Sequence, residues 1–120
     1  MSLIEELKKV LGDQNVLTGT DKERYSSDWL GQYQFEPLCV VRPASTEEVS
    51  DIVRLARSFH VNIVPVGGNT GLNGGTHSDN AISISMERMN KIREIRLNSK
   101  IAIVEAGVIL ANLHQIVNKN

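Results

Sequence analysis

Residues 65–75 read PVGGNTGLNGG, with glycines at 67, 68, 71, 74 and 75, no charged side chain, and neutral hydrogen-bond donors at Asn69, Thr70 and Asn73. Glycine permits positive φ and removes the Cβ that would hold a ligand away, so successive peptide N–H groups can converge on an anion as a nest. Such a loop could cradle a pyrophosphate without any cation. A long turn draws on the same residue types, so composition leaves both readings open. Two familiar phosphate signatures are missing. A Walker loop needs a lysine and a hydroxyl in GxxxxGK[ST] order, and these eleven residues contain no lysine. The dinucleotide fingerprint needs glycines at i, i+2 and i+5 opening a helix, but position i+2 from Gly67, Gly68 and Gly71 is Asn69, Thr70 and Asn73. Gly75 is succeeded by Thr76, His77, Ser78, Asp79 and Asn80 and then a strand pattern, so no helix start stands ready to receive a phosphate.

The other residue types that carry chemistry are sparse. Cys39 is the one cysteine and sits among Leu38, Val40 and Val41, which reads as a packed thiol in a reducing compartment, without an internal disulfide. His60, His77 and His114 have no ligand-like spacing to one another or to Cys39, so no metal site is expected. His60 falls where it can favour a helix C-terminus, and His77 reads as a solvated loop residue within reach of the glycines. Arg42, before Pro43, could face a phosphate or water, and the bases from Arg88 to Arg96 read as solvated strand and turn faces. No catalytic residue is assigned.

Periodicity gives the secondary structure that holds these residues in place. Ser2 and Glu5 form a capping box ahead of Leu3, Ile4, Leu7, Val10 and Leu11 on one helical face, with Gly12 as the stop. Over 13–37 the pattern dissolves into polar residues, and Tyr25, Trp29, Tyr33 and Phe35 read as anchors of an irregular segment. A buried strand over 38–42 precedes a second capping box, Ser45 to Glu48, and a helix over 46–59. A strand over 61–66 then completes a βαβ unit, whose strands should be parallel with a right-handed crossover. The glycines thus lie past the carboxyl end of a parallel strand, the edge where open α/β sheets bind ligands. Strands over 81–85, 92–97 and 100–105 come next, the last two joined at Asn98 and Ser99, and a helix from 109 or 110 closes the chain.

Size and charge set the bounds. At 120 residues the chain is one domain's worth or part of a larger one. Its net charge of −1, with acids and bases interspersed, gives no basic stripe for nucleic acid and no basic amphipathic helix for a membrane. No apolar run approaches the roughly 18 residues of a span, and the N-terminus has no basic region of the secretory kind. The expected location is cytoplasmic and the expected partner a small molecule.

PVGGNTGLNGG, the preceding VVRPASTEEVSDIVRLARSFHVNI, the following SMERMNKI and the later VEAGVIL together resemble the N-terminal half of the FAD-binding (PCMH-type) domain of vanillyl-alcohol oxidase type flavoproteins. Among these the likeness is greatest to the D-2-hydroxyacid dehydrogenases that act on D-lactate and D-2-hydroxyglutarate. The match runs from about Asp28 to the end of the chain. The resemblance implies an α/β (α+β) fold, with 1–37 an N-terminal helix and irregular segment and 38–120 the first part of the FAD-binding domain. It implies cofactor contacts at Pro65, Val66, Gly67, Gly68, Asn69, Thr70, Gly71, Leu72, Gly74, Gly75 and Thr76.

Some members of the family tether their flavin through a histidine two residues after the loop's first glycine. Asn69 stands there, so the resemblance implies non-covalent FAD. It also implies a parent of several hundred residues, with a second FAD-binding segment, a substrate domain taking the hydroxyacid, and an electron acceptor. The chain then reads as a fragment, inactive alone and able to self-associate through surface meant for the rest. The reading from another class is a nucleotide-binding or scaffolding module without chemistry.

Overall fold

The computed structural model describes residues 2–25, 36–67 and 79–118. In chain order its elements are α1 (Leu3–Leu11), β1 (Val16–Leu17), β2 (Cys39–Val41), α2 (Thr46–Ser58), β3 (Ile63–Val66), β4 (Ile82–Ser85), β5 (Ile92–Arg96), β6 (Ile101–Val104) and α3 (Leu110–Asn118). Two 3-10 turns, Asp13–Asn15 and Gly19–Tyr25, flank β1. The mixed α and β composition expected from the sequence holds.

Local chemistry explains the two helices that build the core. The Ser2 hydroxyl accepts the Glu5 N–H at 3.2 Å, and Gly12, at φ +86°, returns its N–H to Lys8 O. At α2 the Ser45 hydroxyl accepts the Glu48 N–H while the Glu48 carboxylate accepts the Ala44 N–H. The helix closes with Val61 N–H on Ala56 O and His60 N–H on Arg57 O, which forces His60 to φ +55°, a place glycine would take more readily.

The first four strands form one sheet in the order β1-β2-β4-β3. Its two outer members in the βαβ unit, β2 and β3, both run parallel to β4, as the sequence expectation requires, but β4 lies between them. β1 pairs antiparallel with β2, Val16 opposite Val41. Two residues of strand are too few to show a period, which is why the sequence reads this stretch as irregular. Pro65, with no N–H to give, sits in β3 at the sheet's edge, where a missing donor is tolerated.

Register divides the sheet into two faces. Cys39, Val41, Ile82 and Ile84 meet Leu7 and Leu11 of α1 and Ile52 and Ala56 of α2 in the main core. Val40, Ser83, Ser85 and Val66 point the other way and are buried as well, with Ser83 at 0% exposure. The alternation of Ile82 and Ile84 with serines therefore does not mark a solvent face. β4 is central and covered on both sides, and its serines are small fillers. Ser83 Oγ has no hydrogen-bond partner among the described residues. The remaining strands, β5 and β6, make a separate antiparallel pair through a turn over residues 97–100. β6 is exposed at all four residues, and α3 has no buried residue among those described.

Burial pushes the Cys39 thiol up to about 11, against a smaller pull from Lys22. A raised thiol favours the neutral form, so its contribution to stability is complete below the unfolded value and fades as pH climbs toward about 11. A disulfide-exchanging thiol reagent should leave the folded chain untouched at pH 8 and titrate one thiol once denaturant is added; rapid reaction without denaturant would contradict this burial. Ser83→Ala removes a buried hydroxyl that the fold leaves unmatched, so denaturant unfolding should show unchanged stability or a gain of up to about 1 kcal/mol. A loss greater than that would mean the hydroxyl is partnered.

Candidate functional site

Three parallel strands bring their carboxyl ends to one edge, and the sequence-predicted site begins there. β2 delivers Arg42, β4 delivers Met86, and β3 delivers Gly67. Of the predicted contacts, Pro65 and Gly67 are exposed and Val66 is buried on the second face of the sheet. Gly68, Asn69, Thr70, Gly71, Leu72, Gly74, Gly75 and Thr76 lie outside the described residues, as do His77, Trp29, Tyr33, Phe35 and the side chain of Tyr25.

The strands on either side of the glycine stretch dictate what kind of connection it is. β3 and β4 are parallel neighbours, with Val66 opposite Ser85 and Ile63 opposite Ile82. Residues 67–81 must therefore leave the carboxyl edge and return to the amino edge before β4 can start. Four residues of strand span about 13 Å, and parallel neighbours need a crossover of about a dozen residues or more. Both readings left open by composition, a long turn and an anion-binding loop, are compatible with this connection.

The root of that crossover is fixed by backbone bonds. Met86 N–H donates to Val66 O at 2.8 Å, so the last residue of β3 is tied to the first residue after β4. A Cβ at Gly67 would lie 3.7 Å from the carbonyl oxygen of Ala106, which brings the turn over residues 105–108 against the loop's first residue. Glu105 secures that turn to the β5–β6 pair. Its carboxylate accepts the Lys91 N–H at 3.0 Å and an Arg93 guanidinium N–H at 2.9 Å. Its own N–H donates to Lys91 O. The Lys91 N–H first, and the Arg93 side chain second, hold the Glu105 carboxyl below its ordinary value.

Cations cluster at the same edge. Arg42 donates from Nη2 to Gln14 O at 2.5 Å, and its Nη1 lies 3.6 Å from the Glu87 carboxylate. Arg88 Nη1 donates to Arg42 O at 2.8 Å. The choice between phosphate and water posed for Arg42 by the sequence thus gains a third term, protein partners from before β1 and after β4. Its Nε is buried without a partner among the described residues. Arg88, Arg93 and Arg96, read from sequence as solvated, each hold a carbonyl or carboxylate, Arg96 bridging Glu94 at 2.7 Å. The sequence offered one signal for this cluster, an arginine and a proline directly after an apolar strand. Among the described residues no group of three His, Cys, Asp or Glu could hold a metal, and no helix is long and apolar enough to cross a membrane.

Comparison with known proteins adds a second line of observation. A model of the FAD binding domain matches residues 37–120. The chain is 36% identical over 116 residues to a D-2-hydroxyglutarate dehydrogenase of Stutzerimonas stutzeri, covering 95% of this chain and 25% of that protein. It is 34% identical over 111 residues to the glycolate oxidase subunit GlcD of Bacillus subtilis, covering 91% and 24%. Among solved structures, 4-ethylphenol oxidase from Gulosibacter chungangensis superposes with a TM-score of 0.85 at 26% identity, covering 98% of this chain and 24% of that one. p-Cresol methylhydroxylase shares the fold at a TM-score of 0.83 and 23% identity, covering 98% and 24%. The chain spans about a quarter of the length of these relatives.

The lowered Glu105 carboxyl has a pH consequence. A depressed carboxylate contributes stability above its unfolded value, and that contribution is lost as pH falls through the folded value. Glu105→Gln should therefore cost stability near neutral pH and progressively less in acid, with the two chains converging as pH falls through the lowered folded value. A gap that stays constant across an acid titration followed by circular dichroism would show that the charge of Glu105 plays no part.

Proposed function

The chain belongs to the FAD binding domain family, and we propose that residues 65–76 hold the pyrophosphate of FAD through backbone N–H groups, without covalent attachment. The observation that carries this reading is the exposed Gly67 at the carboxyl edge of a parallel sheet, at the root of a crossover whose next residues are rich in glycine. The residues described are compatible with such a group: Gly67 is exposed at the start of the glycine stretch, though its φ is not positive and a Cβ there would meet Ala106 O at an ordinary contact distance. Arg42 adds positive charge to the same edge, with one N–H unmatched. The contacts assigned are Pro65, Val66, Gly67, Gly68, Asn69, Thr70, Gly71, Leu72, Gly74, Gly75 and Thr76. Asn69 offers an amide where a tethering histidine would stand, and an amide does not form that bond.

For a protein carrying this domain as its relatives do, we read a dehydrogenase that oxidises a D-2-hydroxyacid to the 2-oxoacid. The substrate's C2 gives up a hydride, its hydroxyl gives up a proton, and FAD supplies the electron-pair acceptor. Relatives named as D-2-hydroxyglutarate dehydrogenase and glycolate oxidase subunit support this substrate class. The role of the residues described is to bind and orient, not to move the proton. A small-molecule electron acceptor or partner protein takes the electrons onward. A buried, neutral Cys39 suits a reducing compartment, read as the cytoplasm, although a plant relative is named mitochondrial.

A loop of amides offers a handful of hydrogen bonds, each worth about 0.5 to 1.5 kcal/mol net, or up to about 3 to a charged oxygen. Against the several kcal/mol lost on immobilising a ligand, the chain alone should bind FAD no better than about micromolar and turn over nothing. Flavin fluorescence should change on titration with the wild-type chain, and Gly68→Val, which sets a β-branched side chain where bare backbone is needed, should abolish that change. Acid precipitation of the complex should leave all flavin in the supernatant. Equal binding by the valine variant, or flavin retained in the pellet, would overturn the respective half of the reading.

A further inference from the structure

Gly107 is buried, and a Cβ built on it would lie 1.8 Å from the carbonyl oxygen of Met86, 2.6 Å from that residue's carbonyl carbon and 2.8 Å from Met89 O. All three atoms are backbone, so no side chain can swing aside. The conflict is one of space, because Gly107 is not among the glycines at positive φ. Its neighbours form a ladder: Gly107 N–H donates to Met89 O, Met89 N–H to Met86 O, and Met86 N–H to Val66 O, at 2.8, 2.9 and 2.8 Å. Three hydrogen bonds thus connect Gly107 to the residue just before the glycine loop. From the other side, the Ala106 carbonyl lies against Gly67.

We propose that Gly107 is a positioning residue for the cofactor loop: its missing side chain lets the turn over 105–108 press onto the turn over 86–89, and that turn fixes the direction in which the chain leaves β3. The proposal rests on the reading of residues 65–76 as the FAD-binding loop. A methyl at Gly107 needs more than an ångström of retreat to reach ordinary contact with Met86 O. The retreat moves Met86 N–H, and with it Val66 and the root of the loop. A loop root displaced by about that much no longer aims its amide N–H groups at one anion, and each hydrogen bond lost to a charged oxygen weakens binding about tenfold or more.

The test uses the whole 120-residue chain, isotopically labelled and titrated with FAD. FAD-induced shifts of the loop glycine amides report binding, and circular dichroism reports the folded fraction. Gly107→Ala should bind FAD at least about tenfold more weakly per folded molecule. Equal affinity per folded molecule would confine Gly107 to a structural role and overturn the proposal. Should the variant not fold, amide exchange in the wild-type chain decides. Coupling is reciprocal, so saturating FAD should slow exchange at Met86 and Gly107 more than at Ala56 in α2. Equal slowing at all three overturns the proposal. A wild-type chain whose loop amides do not respond to FAD overturns the FAD reading itself, and this inference with it, whereas wild-type binding with an indifferent variant overturns this inference alone.

Discussion

The insertion of β4 between β2 and β3, parallel to both, is the constraint on which the rest of the molecule depends. β4 gives its two neighbours their common direction and thereby gathers three carboxyl ends at one edge. It sets β3 and β4 side by side in one direction, so the glycine-rich stretch between them links the carboxyl edge of one strand to the amino edge of the next. It also explains why β4 tolerates no exposed residue. A strand with a helical layer on one face and further chain on the other has only buried positions, and serine fits those where volume is short.

What the sequence makes legible is what rests on local chemistry. α2 is announced by its capping box and by apolar residues at helical spacing, and its end lies one residue from the expected one. β1 is not legible, because two residues paired to a distant strand carry no periodicity. The burial of Ser83 and Ser85 is hidden for a related reason. Alternation of apolar and polar residues ordinarily reports a wet face, and only the sheet order reveals that this strand is central.

The site divides along the same line. Gly67 and the residues after it stand out by composition, since a run of bare backbone is rare and has few uses. Arg42 and Arg88 meet across 46 positions of sequence, with Glu87 beside them, and nothing in their local spacing announces the meeting. Gly107 is the extreme case. A single glycine after a strand looks like any turn residue, and its meaning lies in two backbone carbonyls contributed from about twenty residues earlier.

β6 carries a further consequence, for the behaviour of the chain in solution. Its residues, Ile101, Ala102, Ile103 and Val104, are uncharged and exposed, three of them good strand formers, and β5 pairs with them along one side only. Natural sheets blunt such an edge with lysine, proline or a bulge, and the bulge here, between Ile92 and Glu94, belongs to the partner strand. Lys100 and Glu105 bracket the segment as gatekeepers, but the Glu105 carboxylate is already turned inward to Lys91 and Arg93. With a net charge of only −1, electrostatic repulsion between molecules is feeble and salt weakens it further. The colloidal lifetime of this polypeptide thus depends in part on an open strand edge outside the four-stranded sheet, and one lysine within it would extend that lifetime without touching the parallel strands.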